Sequence, residues 1–156
     1  MKKLLGMILT LALAAGLAWP VYAESSTVPP EVTAHAYLVM DAQTGQVLVQ
    51  KGGAERNYTA SITKIMTLAL AMEKCGGDMT QQVTVSPDAV YSLEAGSSHV
   101  ALQPGEVVSL NDLFHATILA SANDAANVLA EYTAGSMEAF VELMNAKAAE
   151  LGLAGT

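Results

Sequence analysis

Ser61 and Lys64 lie three residues apart inside the run Ser61-Ile62-Thr63-Lys64-Ile65-Met66-Thr67-Leu68-Ala69-Leu70-Ala71-Met72, and Lys64 is the only charged residue between Arg56 and Glu73. A lysine placed in so apolar a segment meets a solvation penalty on its ammonium form. Complete burial lowers a lysine pKa by roughly 3–5 units, which makes a neutral amine available as a general base near pH 7. On a helix, residues three apart share a face, so the Ser61 hydroxyl falls within reach of that amine. A serine at a helix start also faces free N–H groups and the positive dipole end, which favour developing negative charge. The chemistry this allows is nucleophilic acyl transfer, with nucleophile and base drawn from one helical turn. The spacing alone carries no weight, because a chain of this length contains about one Ser-x-x-Lys by chance. The structural reading is that Ser61 is an N-cap and Lys64 snorkels to water along its stem.

A second constellation, Ser121-Ala122-Asn123, sits at a break between two apolar helical runs. A serine there can relay a proton to a leaving group, and the asparagine can hold a substrate amide through its carbonyl and NH2 groups. The competing reading makes Ser121 and Asp124 a capping box at a helix start. Ser109-Leu110-Asn111 repeats the three-residue pattern, but Ser109 followed by Asp112 and an apolar helix reads as an ordinary cap. Ser121 is preferred because apolar residues flank its turn on both sides, where polar groups need a reason.

The elements that must position these residues follow from hydrophobic patterning. Residues 36–40 and 47–49 flank Asp41-Ala42-Gln43-Thr44-Gly45-Gln46 as strand, turn and strand. Both strands are apolar on both faces, which predicts a sheet covered on each side by helices. A helix buried nearly all round is expected from Ser61 to Met72, and further helices over 113–120, 125–131 and 137–151. Between them, Ser86-Pro87-Asp88, Gly96-Ser97-Ser98 and Pro104-Gly105 read as turns. Ser97, Ser98 and His99 read as loop residues.

Composition bounds the rest. The chain has 156 residues, 52% apolar and 14% charged, which points to one globular domain or a piece of one. Met1-Lys2-Lys3, the apolar run from Leu4 to Trp19 and Val21-Tyr22-Ala23 form an export leader with cleavage expected after Ala23. The apolar run is shorter than the roughly 20 residues of a membrane span. Residues 24–33 read as a flexible lead-in, and 34–156 as the domain. Without the leader, 5 basic and 15 acidic residues remain, a formal charge of −10, which argues against nucleic acid as a partner. A lone cysteine, Cys75, has no internal disulfide partner and reads as a small core residue. His35, His99 and His115 have no ligand spacing, so no metal and no cofactor is assigned.

Ser-x-x-Lys followed by Ser-x-Asn is two thirds of the signature of the penicillin-interacting serine enzymes. The segments Asp41–Leu48, Tyr58–Thr67, Leu102–Glu106 and Ser121–Ala126 extend the likeness, and from about Ala34 to Gly155 the chain resembles the D-alanyl-D-alanine carboxypeptidases, the low-molecular-mass penicillin-binding proteins. The resemblance implies an α+β, β-lactamase-like fold, an antiparallel sheet between helices beside a mostly helical subdomain. It implies that Ser61 forms an acyl-enzyme with the penultimate D-alanine of a peptidoglycan stem peptide and that Lys64 takes its proton. Ser121 and Asn123 would complete the relay and position the peptide. It further implies covalent inhibition by β-lactams, an extracytoplasmic (periplasmic) location and no cofactor.

Two departures stand out. The family usually carries glycine where this chain has Ala122, and no Lys-Thr-Gly occurs in the sequence. The C-terminal strands and the membrane-contacting segment of such enzymes are therefore expected to lie outside this chain, which reads as a fragment of an active enzyme. Two alternatives stay open: a truncated, non-catalytic peptidoglycan-binding relic, and a class A-like β-lactamase, for which Glu142-Leu143-Met144-Asn145 is a superficial deacylation motif within an expected helix.

Overall fold

The computed structural model describes residues 31–153 and 155. The expected leader (1–23) and most of the expected lead-in (24–33) lie outside the described residues, and residues 31–33 have no regular structure. The chain divides into two compact units, one ending at Lys51 and one beginning at Gly52.

In the first unit, β1 (Tyr37–Met40) and β2 (Val47–Lys51) pair antiparallel, with a register irregularity between Val39 and Met40. Asp41 closes the turn: its Oδ1 accepts from Gln43 N–H at 3.1 Å, Thr44 N–H at 2.7 Å and the Thr44 hydroxyl at 2.7 Å. The Thr44 hydroxyl is the main reason the Asp41 carboxyl is held below its ordinary pKa. Gly45 takes φ +73°, a conformation open to glycine at no steric cost. The expected hairpin is present. Leu38, Val39, Met40, Val47 and Leu48 are about half-exposed, because a two-stranded ribbon has two faces and no second layer of its own.

The second unit is helical. A 3-10 turn (Ala60–Thr63) leads into α1 (Lys64–Cys75), which Gly76 ends in the left-handed conformation with its N–H on the Met72 carbonyl. After β3 (Gln82–Thr84), the Ser86 hydroxyl caps the short α2 (Pro87–Tyr91) by accepting from Ala89 N–H. β4 (Val107–Ser109) pairs antiparallel with β3. α3 (Leu110–Leu119), α4 (Asn123–Ala134) and α5 (Met137–Glu150) follow. Three-residue strands and a five-residue helix are too short to show a hydrophobic period, so β3, β4 and α2 sit in a stretch whose sequence reads only as turns.

The core gathers around α4. Ala125, Val128 and Leu129 of α4 cluster with Ala71 and Cys75 of α1, Leu110, Leu113 and Phe114 of α3, and Val85, Ala89, Leu102 and Ala122. Fully burying each leucine is worth about 1.5–3 kcal/mol relative to exposure. A smaller cluster joins Leu70, Ala130 and Phe140. Cys75 is a buried core residue, as its sequence context indicates. One expectation is corrected here: α1 is not buried all round. Its buried residues are Lys64, Thr67, Leu70, Ala71 and Cys75, while Ile65 is 62% exposed. The inward stripe is thus polar at its first turn, where the helix meets α4, and apolar only beyond it.

Candidate active site

Lys64 opens α1 facing inward, and its side chain is 9% exposed. Its Nζ donates to Asn123 Oδ1 at 2.9 Å. Desolvation by burial lowers its pKa from the ordinary lysine value. Asn123 is the first residue of α4, so the tight packing of α1 on α4 sets the reach of this bond.

Ser61 is not an N-cap. It lies within the 3-10 turn, and neither that turn nor α1 has a side-chain cap at its N-terminus. Its exposed hydroxyl is instead hydrogen-bonded at 2.8 Å to the Ser121 hydroxyl, 60 residues on. Ser121 in turn departs from the capping-box reading. The N-cap of α4 is Ala122, without a side-chain cap bond, and Asp124 bonds elsewhere. Ala122 is fully buried at φ −66° and ψ 119°, a backbone any residue adopts, so this position does not require glycine.

Asn123 is fixed on both sides of its amide. Its backbone N–H and its Nδ2 both donate to the Ser98 carbonyl, at 2.8 and 3.0 Å. With Nδ2 committed there, Oδ1 is the end that faces Lys64. Ser98 reads in the sequence as a loop residue, and only the fold reveals its part. Backbone conformation adds a second signal. Among the described residues, three non-glycine positions take positive φ: Ala60 (+46°), Ala101 (+61°) and Ser121 (+52°). One precedes Ser61, one is Ser121 itself, and one lies on the loop that carries Ser98. Such conformations cost roughly 1–2 kcal/mol each for a residue bearing a Cβ, and they gather at functional sites. Alanine is not an expected left-handed residue, so no sequence signal marks Ala60 or Ala101.

A cavity of about 1010 Å³ opens beside these groups, walled by Ser61, Lys64, Thr67, Tyr91, Asn123 and Asn127 among others. The structure therefore brings Ser61, Lys64, Ser121 and Asn123 together: Ser61, Lys64 and Asn123 border one space, and Ser121 joins them through its bond to Ser61. Ser109, the competing serine, caps α3 as expected: it accepts from Asp112 N–H at 3.1 Å and donates to the Asp112 carboxylate at 2.6 Å. Glu142 is exposed in mid-α5 and is not on the cavity wall, so the Glu142-Leu143-Met144-Asn145 motif places no base at this site.

Ser61, bonded to Ser121, and the desolvated Lys64 are the residue types on which the resemblance to the penicillin-binding proteins rests. Residues 23–156 match the family model described as D-alanyl-D-alanine carboxypeptidase, and the chain belongs to that family. It is 41% identical over 140 residues to the D-alanyl-D-alanine carboxypeptidase DacC of Escherichia coli K12, covering 86% of this chain and 35% of that protein. It is 33% identical over 159 residues to DacF of Bacillus subtilis 168, covering all of this chain and 41% of that one. Among solved structures, penicillin binding protein 6B from Escherichia coli superposes with a TM-score of 0.77 at 36% identity, over 85% of this chain and 44% of the other. The chain thus spans less than half the length of these relatives, and its fold is the corresponding part of the penicillin-binding-protein fold.

Proposed function

We propose that this protein acts as a serine-type D-alanyl-D-alanine carboxypeptidase on peptidoglycan stem peptides. Family membership supplies the reaction class, and the Ser61–Ser121 hydroxyl bond at 2.8 Å beside the buried Lys64 carries the reading to particular atoms. Ser61 Oγ attacks the carbonyl carbon of the penultimate D-alanine while its proton passes to the neutral Lys64 amine. As the tetrahedral species collapses, the C–N bond breaks, and Ser121 delivers a proton to the departing amino group of the terminal D-alanine while it takes up the proton held by Lys64. Asn123, held by Ser98 through Nδ2 and by Lys64 through Oδ1, offers its remaining N–H and oxygen lone pair to the peptide. Water then cleaves the ester and restores the Ser61 hydroxyl. β-Lactams would acylate the same oxygen, and the leader at residues 1–23 would deliver the enzyme to the extracytoplasmic cell-wall space.

Incubation with a labelled penicillin, followed by intact-mass and peptide analysis, tests this. The expected outcome is one covalent adduct on Ser61 that disappears in Ser61→Ala. A folded chain that forms no adduct would overturn the catalytic reading and favour a non-catalytic peptidoglycan-binding role.

A further inference from the structure

Asp124 is 1% exposed, and the reaction described above does not use it. Its carboxylate bonds to backbone alone. Oδ1 accepts from Ala125 N–H at 2.9 Å, both oxygens lie 3.2 Å from Val100 N, and Oδ2 accepts from Leu102 N–H at 3.0 Å. The two loop donors flank Ala101, the residue held at φ +61°. The Ala101 N–H is taken by His99 Nδ1 at 3.1 Å. The loop from Ser98 to Leu102 is therefore gripped on both sides of its strained residue by one buried anion in the first turn of α4, where the helix dipole favours negative charge. The same loop presents the Ser98 carbonyl that fixes Asn123.

From this chain of contacts we infer that Asp124 is a positioning residue: by fastening the left-handed turn at Ala101 it holds the Ser98 carbonyl on Asn123, and so holds Asn123 Oδ1 on the Lys64 amine. Charged acceptors make the stronger backbone hydrogen bonds, which suits a carboxylate to clamping a conformation that alanine disfavours. An asparagine at 124 keeps the shape but sets an NH2 group against one set of N–H donors, so part of the grip is lost. Placement errors of about 1 Å cost up to roughly 100-fold in rate. The effect on acylation rests on the function proposed for Ser61, whereas the effect on Asn123 does not.

The test compares the wild-type chain, Asp124→Asn, Asp124→Asn/Ala101→Gly and Ala101→Val. Each is read by amide hydrogen exchange at Asn123, Val100 and Leu102 and by the rate of penicillin acylation. Asp124→Asn is expected to speed exchange at all three amides and to slow acylation on the order of 10–100-fold. Glycine adopts positive φ freely, so the double variant is expected to recover part of both losses. Unchanged exchange at Asn123 in a folded Asp124→Asn chain overturns the inference. So does loosened exchange with undiminished acylation, or an absence of recovery in the double variant. Should Asp124→Asn fail to fold, Ala101→Val decides, since it strains the same turn with Asp124 intact and unchanged Asn123 exchange there refutes the role. A wild-type chain that is folded but not acylated removes the catalytic proposal alone, and the exchange measurements still judge Asp124.

Discussion

Ser109-Leu110-Asn111-Asp112 and Ser121-Ala122-Asn123-Asp124 differ at one residue, both open an α-helix, and they fold differently. At α3 the serine takes φ −71° and ψ 150°, caps the helix and bonds the aspartate of its own first turn. At α4 the serine takes φ +52° and turns its hydroxyl to Ser61, and the aspartate reaches the loop at 100–102. Asp112 is exposed, whereas Asp124 is buried. The difference lies in what surrounds each turn. At α3 the Ser109 and Asp112 side chains bond each other with Asp112 exposed, while the Leu110 and Asn111 N–H groups reach the Gln81 and Met79 carbonyls. α4 starts against a 3-10 turn and a loop whose N–H groups need acceptors, and those non-local partners outcompete the local box.

The sharpest way to break the comparison is to delete each hydroxyl. Ser121→Ala is expected to slow acyl transfer by roughly 10²–10⁴-fold, the usual span for a lost acid–base group, measured as penicillin acylation and deacylation rates. Ser109→Ala is expected to leave those rates unchanged. A comparable loss from Ser109→Ala would mean that the two serines are functionally alike. The pH dependence comes next. Because burial lowers the Lys64 pKa, the neutral amine is present below the ordinary lysine range, and acylation is expected to fall as pH drops through that lowered value. The stability linkage has the same origin. Between the lowered folded pKa and the unfolded one, the unfolded chain holds the extra proton, so stability rises with pH across that window. Titration of the Lys64 ε-carbon by NMR checks both, with Lys147, whose pKa is raised by Glu150 and Glu73, as a lysine moving the other way. The smallest effect is on stability: Ser109→Ala is expected to cost about 1 kcal/mol for its lost cap, seen as a lower midpoint in denaturant.

Much of the site is legible in the residues, for identifiable reasons. Lys64 stands out because a lone charge in an apolar run must be partnered or perturbed, and it is both. Ser121 is preferable to Ser109 because its flanks are apolar on both sides, and those flanks supply buried core residues such as Ala122 and Ala125. The helices are readable where their apolar period runs for two turns or more. Asp124 reads wrongly as a capping partner, and Ser98 reads as no more than loop. A carboxylate in a first helical turn looks the same whether it serves its own helix or a loop 22 residues away, and a backbone carbonyl has no sequence signature at all.

The sequence by itself determined the family and the main helices, and it singled out Ser61 and Lys64 as candidates, because these rest on residue identity and on short, regular spacing. Only the tertiary structure decided which Ser-x-Asn-Asp is a cap and which meets Ser61 and Lys64, and that the polar stripe of α1 faces inward. It also decided that alanine holds positive φ at 60 and 101. Each of these depends on groups tens of residues apart meeting in the packed interior, where an unpaired donor or acceptor costs about 1–3 kcal/mol and the partner within reach, not the local motif, prevails.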